Sequence, residues 1–206
     1  SSLWQEREII RFHYGDGSSA RLDMDSAGSS AYLTLGAVME FPVPVRAAPL
    51  TRITIETRGA ANLRGVVVGA RLVPVSEAVK AKLAYTAIYA GFAGLALSLL
   101  IYNLSLWRAL RNRFQLYYCL MVGALGAYAF TSSGAILLVA PWIANNERLR
   151  LNYVLLALCA LTGVRFVRNF FEREVDDAWL DKAFRFMLVG SLASALAFAL
   201  LSPWLI

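Results

Sequence analysis

The residue types that carry most enzymatic and metal chemistry are scarce in this chain. His13 is the only histidine, and the two cysteines, Cys119 and Cys159, both lie in apolar stretches. A structural or catalytic metal site needs three or four closely spaced His, Cys or carboxylate ligands, and these residues form no HExxH motif and no Cys/His cluster. The sequence therefore predicts no metal site and no other cofactor.

Carboxylates and glycine-rich turns form no catalytic pattern either. The "GDG" at residues 15–17 lacks the spacing and the following Lys-Ser/Thr of a phosphate-binding loop, and it is typical of a hairpin turn. Acidic residues in the first 80 positions fall on predicted turns and strands, as do Asp16, Asp23, Asp25, Glu40 and Glu56. They do not indicate an acid/base pair, so we expect no enzymatic activity from this chain.

Arginines gather beside apolar runs, as in "YNLSLWRALRNRFQLYY" at residues 102–118. Of the residues, 58% are hydrophobic and only 17% are charged, and the mean hydropathy is +0.54, which predicts a membrane protein. A net charge of +6 is compatible with nucleic-acid binding, but the basic residues are either scattered or placed next to apolar runs. The expected partner is therefore the lipid bilayer and not nucleic acid.

Four apolar stretches are long enough to cross about 30 Å of hydrocarbon at about 1.5 Å per residue. They cover residues 83–107, 114–138, 151–171 and 186–206, so 83–206 is predicted to be a transmembrane helical region. The third stretch carries Arg165 and Arg168 near its end, which is tolerable if both side chains reach the head groups. Residues 76–82 are predicted to be a short linker with Ser76 as N-cap; if helical, they extend the first span as one rod.

Short loops rich in basic residues mark the cytoplasmic side of a membrane protein. The second loop offers only Arg148 and Arg150. The first and third loops are more basic, with Arg108, Arg111 and Arg113 in the first and Arg165, Arg168, Arg173, Lys182 and Arg185 in or beside the third. We therefore expect loops 108–113 and 172–185 to be cytoplasmic and residues 1–80 to be extracytoplasmic.

Residues 1–75 have the pattern of a small antiparallel β-sheet or part of a sandwich. Alternating or β-branched runs predict strands at "REIIRFHY", "ARLDMD", "AYLTLG", "LTRITIET" and "GVVVGARLV". Turn signals lie at residues 15–19, 26–30, 41–49 and 58–65. Such a set buries only a modest core, no signal sequence precedes it, and the chain ends within the fourth span, so we expect a fragment of a longer protein.

The predicted spans contain polar and small residues but no acidic side chain, so no proton relay is indicated. Asn103 is expected to make a hydrogen bond to another helix, worth about 1 kcal/mol. Small residues recur at the spacing of helix-packing faces: Ala90, Gly94 and Ser98; Gly123 and Ala127; Gly190 and Ser194. The first of these faces is either a static contact or a surface along which the helix slides.

Two segments resemble a known family. The first runs through Tyr102, Asn103 and Leu104, then Arg111 and Arg113, then Leu116, Tyr117 and Tyr118; the second is "VRFVRNFFE", with Phe166, Arg168 and Phe171. Together they resemble the bacterial seven-transmembrane receptors with diverse intracellular signalling modules, over about residues 76–175. The resemblance implies a bacterial inner-membrane receptor with an extracytoplasmic sensor region that binds a small, carbohydrate-like molecule. It also implies three further helices and a cytoplasmic output module, such as a diguanylate cyclase, a histidine kinase or a phosphatase, which this chain lacks.

A different class of function is a transporter or membrane-assembly subunit with an outer β-domain. That function needs a pore lined by polar residues, and the polar residues of the predicted spans are few and uncharged. The sequence therefore favours the receptor. A homodimer stays open as an assembly state.

Overall fold

The computed structural model describes residues 4–60, 69–170 and 178–201, and the chain divides into two compact units. We call the first the β unit; it contains Ser1–Lys82 and Ser132–Leu149. We call the second the helical unit; it contains Leu83–Thr131 and Arg150–Ile206. Residues 132–149, which the expected division places in 83–206, cluster with the β unit.

The predicted antiparallel sheet is confirmed in the β unit. Strand β1 (Arg7–Tyr14) is central, with β2 (Ser19–Asp25) on one side and β5 (Leu50–Arg58) on the other, both antiparallel to it. The predicted turn at residues 15–19 joins β1 to β2. Strands β3 (Leu33–Thr34) and β4 (Val38–Met39) form a separate two-stranded hairpin.

Alternation along β1 builds the core of this unit. Ile10, Phe12 and Tyr14 point to one side of the sheet and are buried together with Met24 of β2. Arg7, Ile9, Arg11 and His13 occupy the alternate positions, and this face is polar except at Ile9, which is also buried. The period-2 pattern that predicted the strand therefore matches its burial at every position from Ile10 to Tyr14, where the side chains alternate between buried and half-buried.

Two predicted features of this unit are wrong in the described residues. The expected turn at residues 26–30 is a short helix, α1 (Ser26–Ser30), because the Asp25 carboxylate accepts the Gly28 N–H at 2.7 Å as an N-cap. The strand expected at "GVVVGARLV" has no regular structure over residues 69–74, and its first four residues lie outside the described part.

The helices are α2 (Val75–Leu110), α3 (Arg113–Ser132), α4 (Asn145–Phe170) and α5 (Ala178–Leu200). All four are long and apolar enough to cross a membrane, which identifies a multi-pass membrane protein. Helix α2 begins at Val75, and the Pro74 carbonyl accepts its first backbone bonds, from the N–H groups of Glu77 and Ala78. Ser76 is therefore not the N-cap, and residues 76–82 are helix and not linker.

The other predicted spans differ at their ends. The second stops at Ser132, six residues before the expected end, because Gly134 adopts a φ of 82° and residues Ala135–Leu138 form a 3₁₀ helix. A Cβ on Gly134 would lie 3.3 Å from the Thr34 carbonyl oxygen, so a larger residue fits poorly there. The third span begins earlier, at Asn145, and the fourth at Ala178, while residues 171–177 and 202–206 are outside the described part.

Candidate functional site: a buried polar cluster in the β unit

The segment 132–149 is joined to the strand region by hydrogen bonds that centre on Asn146. The Asn146 side chain accepts the Gln5 backbone N–H at 3.2 Å and donates to the Gln5 carbonyl at 2.9 Å. Its own backbone N–H donates to the Ser26 hydroxyl at 2.9 Å. The Ser30 hydroxyl donates to the Ile143 carbonyl at 3.0 Å. We call these five residues the Asn146 clasp.

The β3–β4 hairpin makes a second attachment. At its tip the N–H groups of Gly36 and Ala37 both donate to the Ser133 carbonyl, at 2.9 and 3.2 Å. Both residues have positive φ, 94° and 58°, which turns two successive N–H groups towards one oxygen. Ser133 directly follows the last residue of α3, so the hairpin holds the point where that helix ends.

Arg148 lies at the centre of the cluster and has no exposed surface. Its Nε and Nη2 donate to the Asn145 carboxamide oxygen at 3.3 and 2.9 Å, and its Nη1 donates to the Ser132 carbonyl at 3.2 Å. A cation at the carbonyl end of a helix is favourable, and Ser132 is the last residue of α3. Arg148 therefore ties the end of α3 to the first turn of α4.

The cluster extends to the sheet through Gln5. The Gln5 side-chain amide donates to the Glu8 carboxylate at 2.6 Å, and both side chains are buried. Glu8 belongs to β1 and shares its buried face with Ile10. A continuous series of hydrogen bonds therefore runs from the central strand through Gln5 to Asn146 at the start of α4.

A cleft of about 630 Å³ opens on the same unit between β2 and α1. It is lined by both charged and apolar side chains: Glu6, Arg7, Leu22, Asp23, Met24, Asp25, Gly28, Ala31 and Tyr32. Arg7 forms two hydrogen bonds to the Asp23 carboxylate, at 2.7 and 2.8 Å, and Arg21 forms a third. These bonds, led by the one from Arg7, lower the pKa of Asp23 to about 2, so the carboxylate is charged and fixed in orientation.

The arginines predicted from the first loop lie at the ends of helices. Arg108 is in the last turn of α2, and Arg113 is the first residue of α3. Arg111 has a φ of 58° and donates its N–H to the Trp107 carbonyl at 2.8 Å, so it terminates α2, while its guanidinium lies 5.5 Å from the Trp107 ring centroid.

Several other motif residues meet where α3 begins and α4 ends. Tyr118 packs on Phe166 with ring centroids 5.5 Å apart, and Phe114 makes an edge contact with Phe170 at 5.7 Å. Arg168 forms an ion pair with Asp181 of α5 at 2.5 Å. Tyr117 and Arg165 line a groove on the helical unit that is described below. Phe171 and the acidic residues Glu172, Glu174, Asp176 and Asp177 lie outside the described part.

Among the residues that the structure describes, Asn103 makes no side-chain bond to another helix. Its amide donates to the Leu99 carbonyl at 2.9 Å, one turn earlier in α2. A partner within the same helix satisfies the amide without a neighbour, so the bond carries no information about helix packing. Tyr102 and Leu104 beside it are exposed.

At their glycine positions, the predicted small-residue faces make no close approach to another described helix. Ala90, Gly94 and Ser98 are exposed, as are Gly190 and Ser194, and a Cβ added at Gly94, Gly123 or Gly190 would meet nothing within 4 Å. Ala127 is half-buried. The observed approaches are Gly126 to Ala96, at 4.0 Å, and Gly163 to the Met121 sulfur, at 3.4 Å, both measured from an added Cβ.

Sequence reasoning missed the buried polar cluster. Its only local signal is the pair Asn145 and Asn146, a residue type that favours helix starts. Arg148 was counted as a charge of the second loop, and in the structure it is the most deeply buried arginine described. Nothing in the sequence pairs these residues with Gln5 or Ser26, more than a hundred positions away.

The helical region matches a known family. A family model described as 7TM diverse intracellular signalling matches residues 85–206, which is more than half of the chain. The chain therefore belongs to this family of seven-transmembrane signalling proteins. The family indicates a membrane sensor or receptor and is not itself catalytic. Searches of curated proteins and of solved structures each gave no match.

Proposed function

We propose that this chain senses a small extracytoplasmic molecule through its β unit and passes the change along its membrane helices to a cytoplasmic output module. The observation that carries the proposal is the membership of segment 132–149 in the β unit, where the Asn146 clasp and Arg148 hold it. A change in the strand region therefore acts directly on the ends of α3 and α4. By family resemblance, the output module is of the diguanylate cyclase or histidine kinase type, and the membrane is the bacterial inner membrane.

The same observation supports the proposed orientation. Residues 1–82 and 132–149 are hydrogen-bonded within one unit, so they lie on one side of the membrane. Two apolar helices, α2 and α3, separate them in sequence, and a pair of crossings returns a chain to the side it left. The arginine distribution supports an outside location for both segments and an inside location for 108–113 and 172–185.

Labelling of single cysteines tests this orientation. In a background with Cys119 and Cys159 replaced by serine, Trp142→Cys is expected to react with a membrane-impermeant maleimide in intact cells, because Trp142 is 78% exposed in the segment placed outside. Asn112→Cys, in the first loop, is expected to react only after the cells are opened. The opposite labelling of these two variants would reverse the orientation.

The cleft beside β2 is the proposed ligand site. The fixed Asp23 carboxylate, the Arg7 guanidinium and the Tyr32 ring can bind the hydroxyl groups and apolar face of a carbohydrate-like molecule. The cleft lies directly before α1, whose Ser26 and Ser30 belong to the Asn146 clasp. A displacement of α1 on ligand binding can therefore reach segment 132–149 through Ser26 and Ser30.

Arg7→Gln tests the cleft against a matched control on the same sheet. Screening the purified chain against a panel of saccharides by thermal shift is expected to give at least one stabilising compound. Arg7→Gln is expected to weaken binding of that saccharide about tenfold. The variant loses the charge-assisted hydrogen bond from Arg7 to the saccharide, and it no longer holds the Asp23 carboxylate in orientation. Arg58→Gln removes a comparable exposed ion pair, with Glu56, but lies outside the cleft and is expected to bind normally. Equal weakening by both variants would exclude the cleft as the site.

A further inference from the structure

We propose that the groove between α3, α4 and α5 is a binding site for an anionic phospholipid. The groove has a volume of about 720 Å³, and all of its lining residues belong to the helical unit. Its wall is apolar along most of its length, with Leu120, Leu161, Leu188 and Leu192 among the lining residues. Thr162 is an uncharged polar residue of this wall, and its hydroxyl is satisfied by the Leu158 carbonyl of its own helix. Such a wall suits an acyl chain.

The positive charge of the groove lies at one end. Helices α3 and α4 run antiparallel, since Phe114 at the start of α3 contacts Phe170 at the end of α4. Asp181 near the start of α5 likewise pairs with Arg168 near the end of α4. Arg165, Arg185 and Tyr117 therefore line the end of the groove where α4 finishes, and Leu192 lies about two turns along α5 from Arg185.

Charge complementarity identifies the occupant. Within the described residues 165–170 and 178–185, Asp181 is the only carboxylate, and it is shared by Arg168 and Arg185 at 2.5 Å each. Arg165 has no side-chain hydrogen bond or ion pair to any described residue. The Arg165 guanidinium lies at the end of the groove where α4 finishes, so it can bind the phosphate diester of a lipid head group. The acyl chains of the same lipid then fill the apolar groove. An anionic lipid satisfies both parts of the groove at once, which a free anion or an uncharged lipid does not.

Native mass spectrometry of the chain reconstituted with phosphatidylglycerol or with phosphatidylcholine tests the site. Wild-type protein is expected to retain more phosphatidylglycerol than phosphatidylcholine. Arg165→Gln is expected to reduce phosphatidylglycerol retention about tenfold, and Arg165→Lys to restore part of it. The control Arg108→Gln removes an arginine outside the groove and is expected to retain lipid as wild type does.

A second pair of variants tests the apolar part. Val189→Trp places a large ring in the groove and is expected to abolish phosphatidylglycerol retention, whereas Leu196→Trp, on α5 but outside the lining, is expected to leave it unchanged. Three results would overturn the proposal. The first is equal retention of the two lipids. The second is an equal effect of Arg165→Gln and Arg108→Gln on phosphatidylglycerol retention. The third is that inorganic phosphate stabilises the protein as strongly as phosphatidylglycerol does. A dimer that dissociates in Val189→Trp would assign the groove to a second copy of the chain instead.

Discussion

Replacing Arg148 with methionine is expected to destabilise the β unit by about 3 kcal/mol, the largest single-residue effect we predict. Methionine fills a similar space but leaves the Asn145 carboxamide oxygen and the Ser132 carbonyl without the donors that Arg148 supplies. Buried acceptors without donors are costly because water cannot replace the lost bond. Hydrogen exchange of the full chain in detergent is the measurement, with protection of residues 132–149 expected to fall about a hundredfold.

Two further variants test whether the loss of protection is specific to the hydrogen bonds of Arg148. Arg148→Lys keeps the charge but has only one nitrogen to reach both acceptors, so its loss of protection is expected to be intermediate. Arg52→Met removes an exposed arginine of β5 and is expected to leave exchange in this segment unchanged. Wild-type protection in Arg148→Met would show that Arg148 does not stabilise the cluster.

The elements that the sequence predicted well are those that depend on repeated local pattern. The spans follow from length and apolarity alone, because a bilayer selects both. The central strand follows from its alternation, which places Ile10 and Phe12 on the buried side and Arg11 on the other. In both cases many residues of one element follow the same pattern, so a single residue that departs from the pattern does not change the prediction.

The candidate site depends on contacts between single residues, and the sequence alone did not predict those contacts. Asn146 contacts Gln5 across 141 positions, and such a contact leaves no periodic trace in either segment. The small-residue faces stay a prediction for a related reason, because a stripe on one helix does not specify the neighbour that meets it. Gly163 and Gly126 make the observed close contacts, although neither belonged to a predicted face.

Two routes connect the β unit to the membrane helices, and they can be separated. The first is α2, which begins at Val75 and runs without interruption to Leu110 as one rod. The second is the Asn146 clasp, which attaches segment 132–149 to the strand region. A four-residue Gly/Ser insertion after Ser76 interrupts only the first route. Asn146→Ala weakens only the second, with a loss of about 1–3 kcal/mol from its two side-chain bonds.

The insertion is expected to abolish the response of the full-length receptor to a saccharide that binds the β unit, because flexible residues cannot transmit a displacement of the rod. Saccharide binding and basal output activity are both expected to remain. Asn146→Ala is expected to lower the amplitude of the response with binding unchanged. Thr51→Ala is the control, since it removes a hydrogen bond from the same unit, to the His13 carbonyl, without touching segment 132–149.

The measurement is output activity against saccharide concentration in membranes that contain each variant. A normal amplitude in the lengthened receptor would contradict transmission through α2, because no rigid connection from Val75 would remain. The signal would then pass through the clasp to the ends of α3 and α4, and adding Asn146→Ala to the lengthened receptor would be expected to abolish it. If Thr51→Ala lowers the amplitude as much as Asn146→Ala does, the loss reflects the stability of the β unit and the clasp has no specific part in transmission.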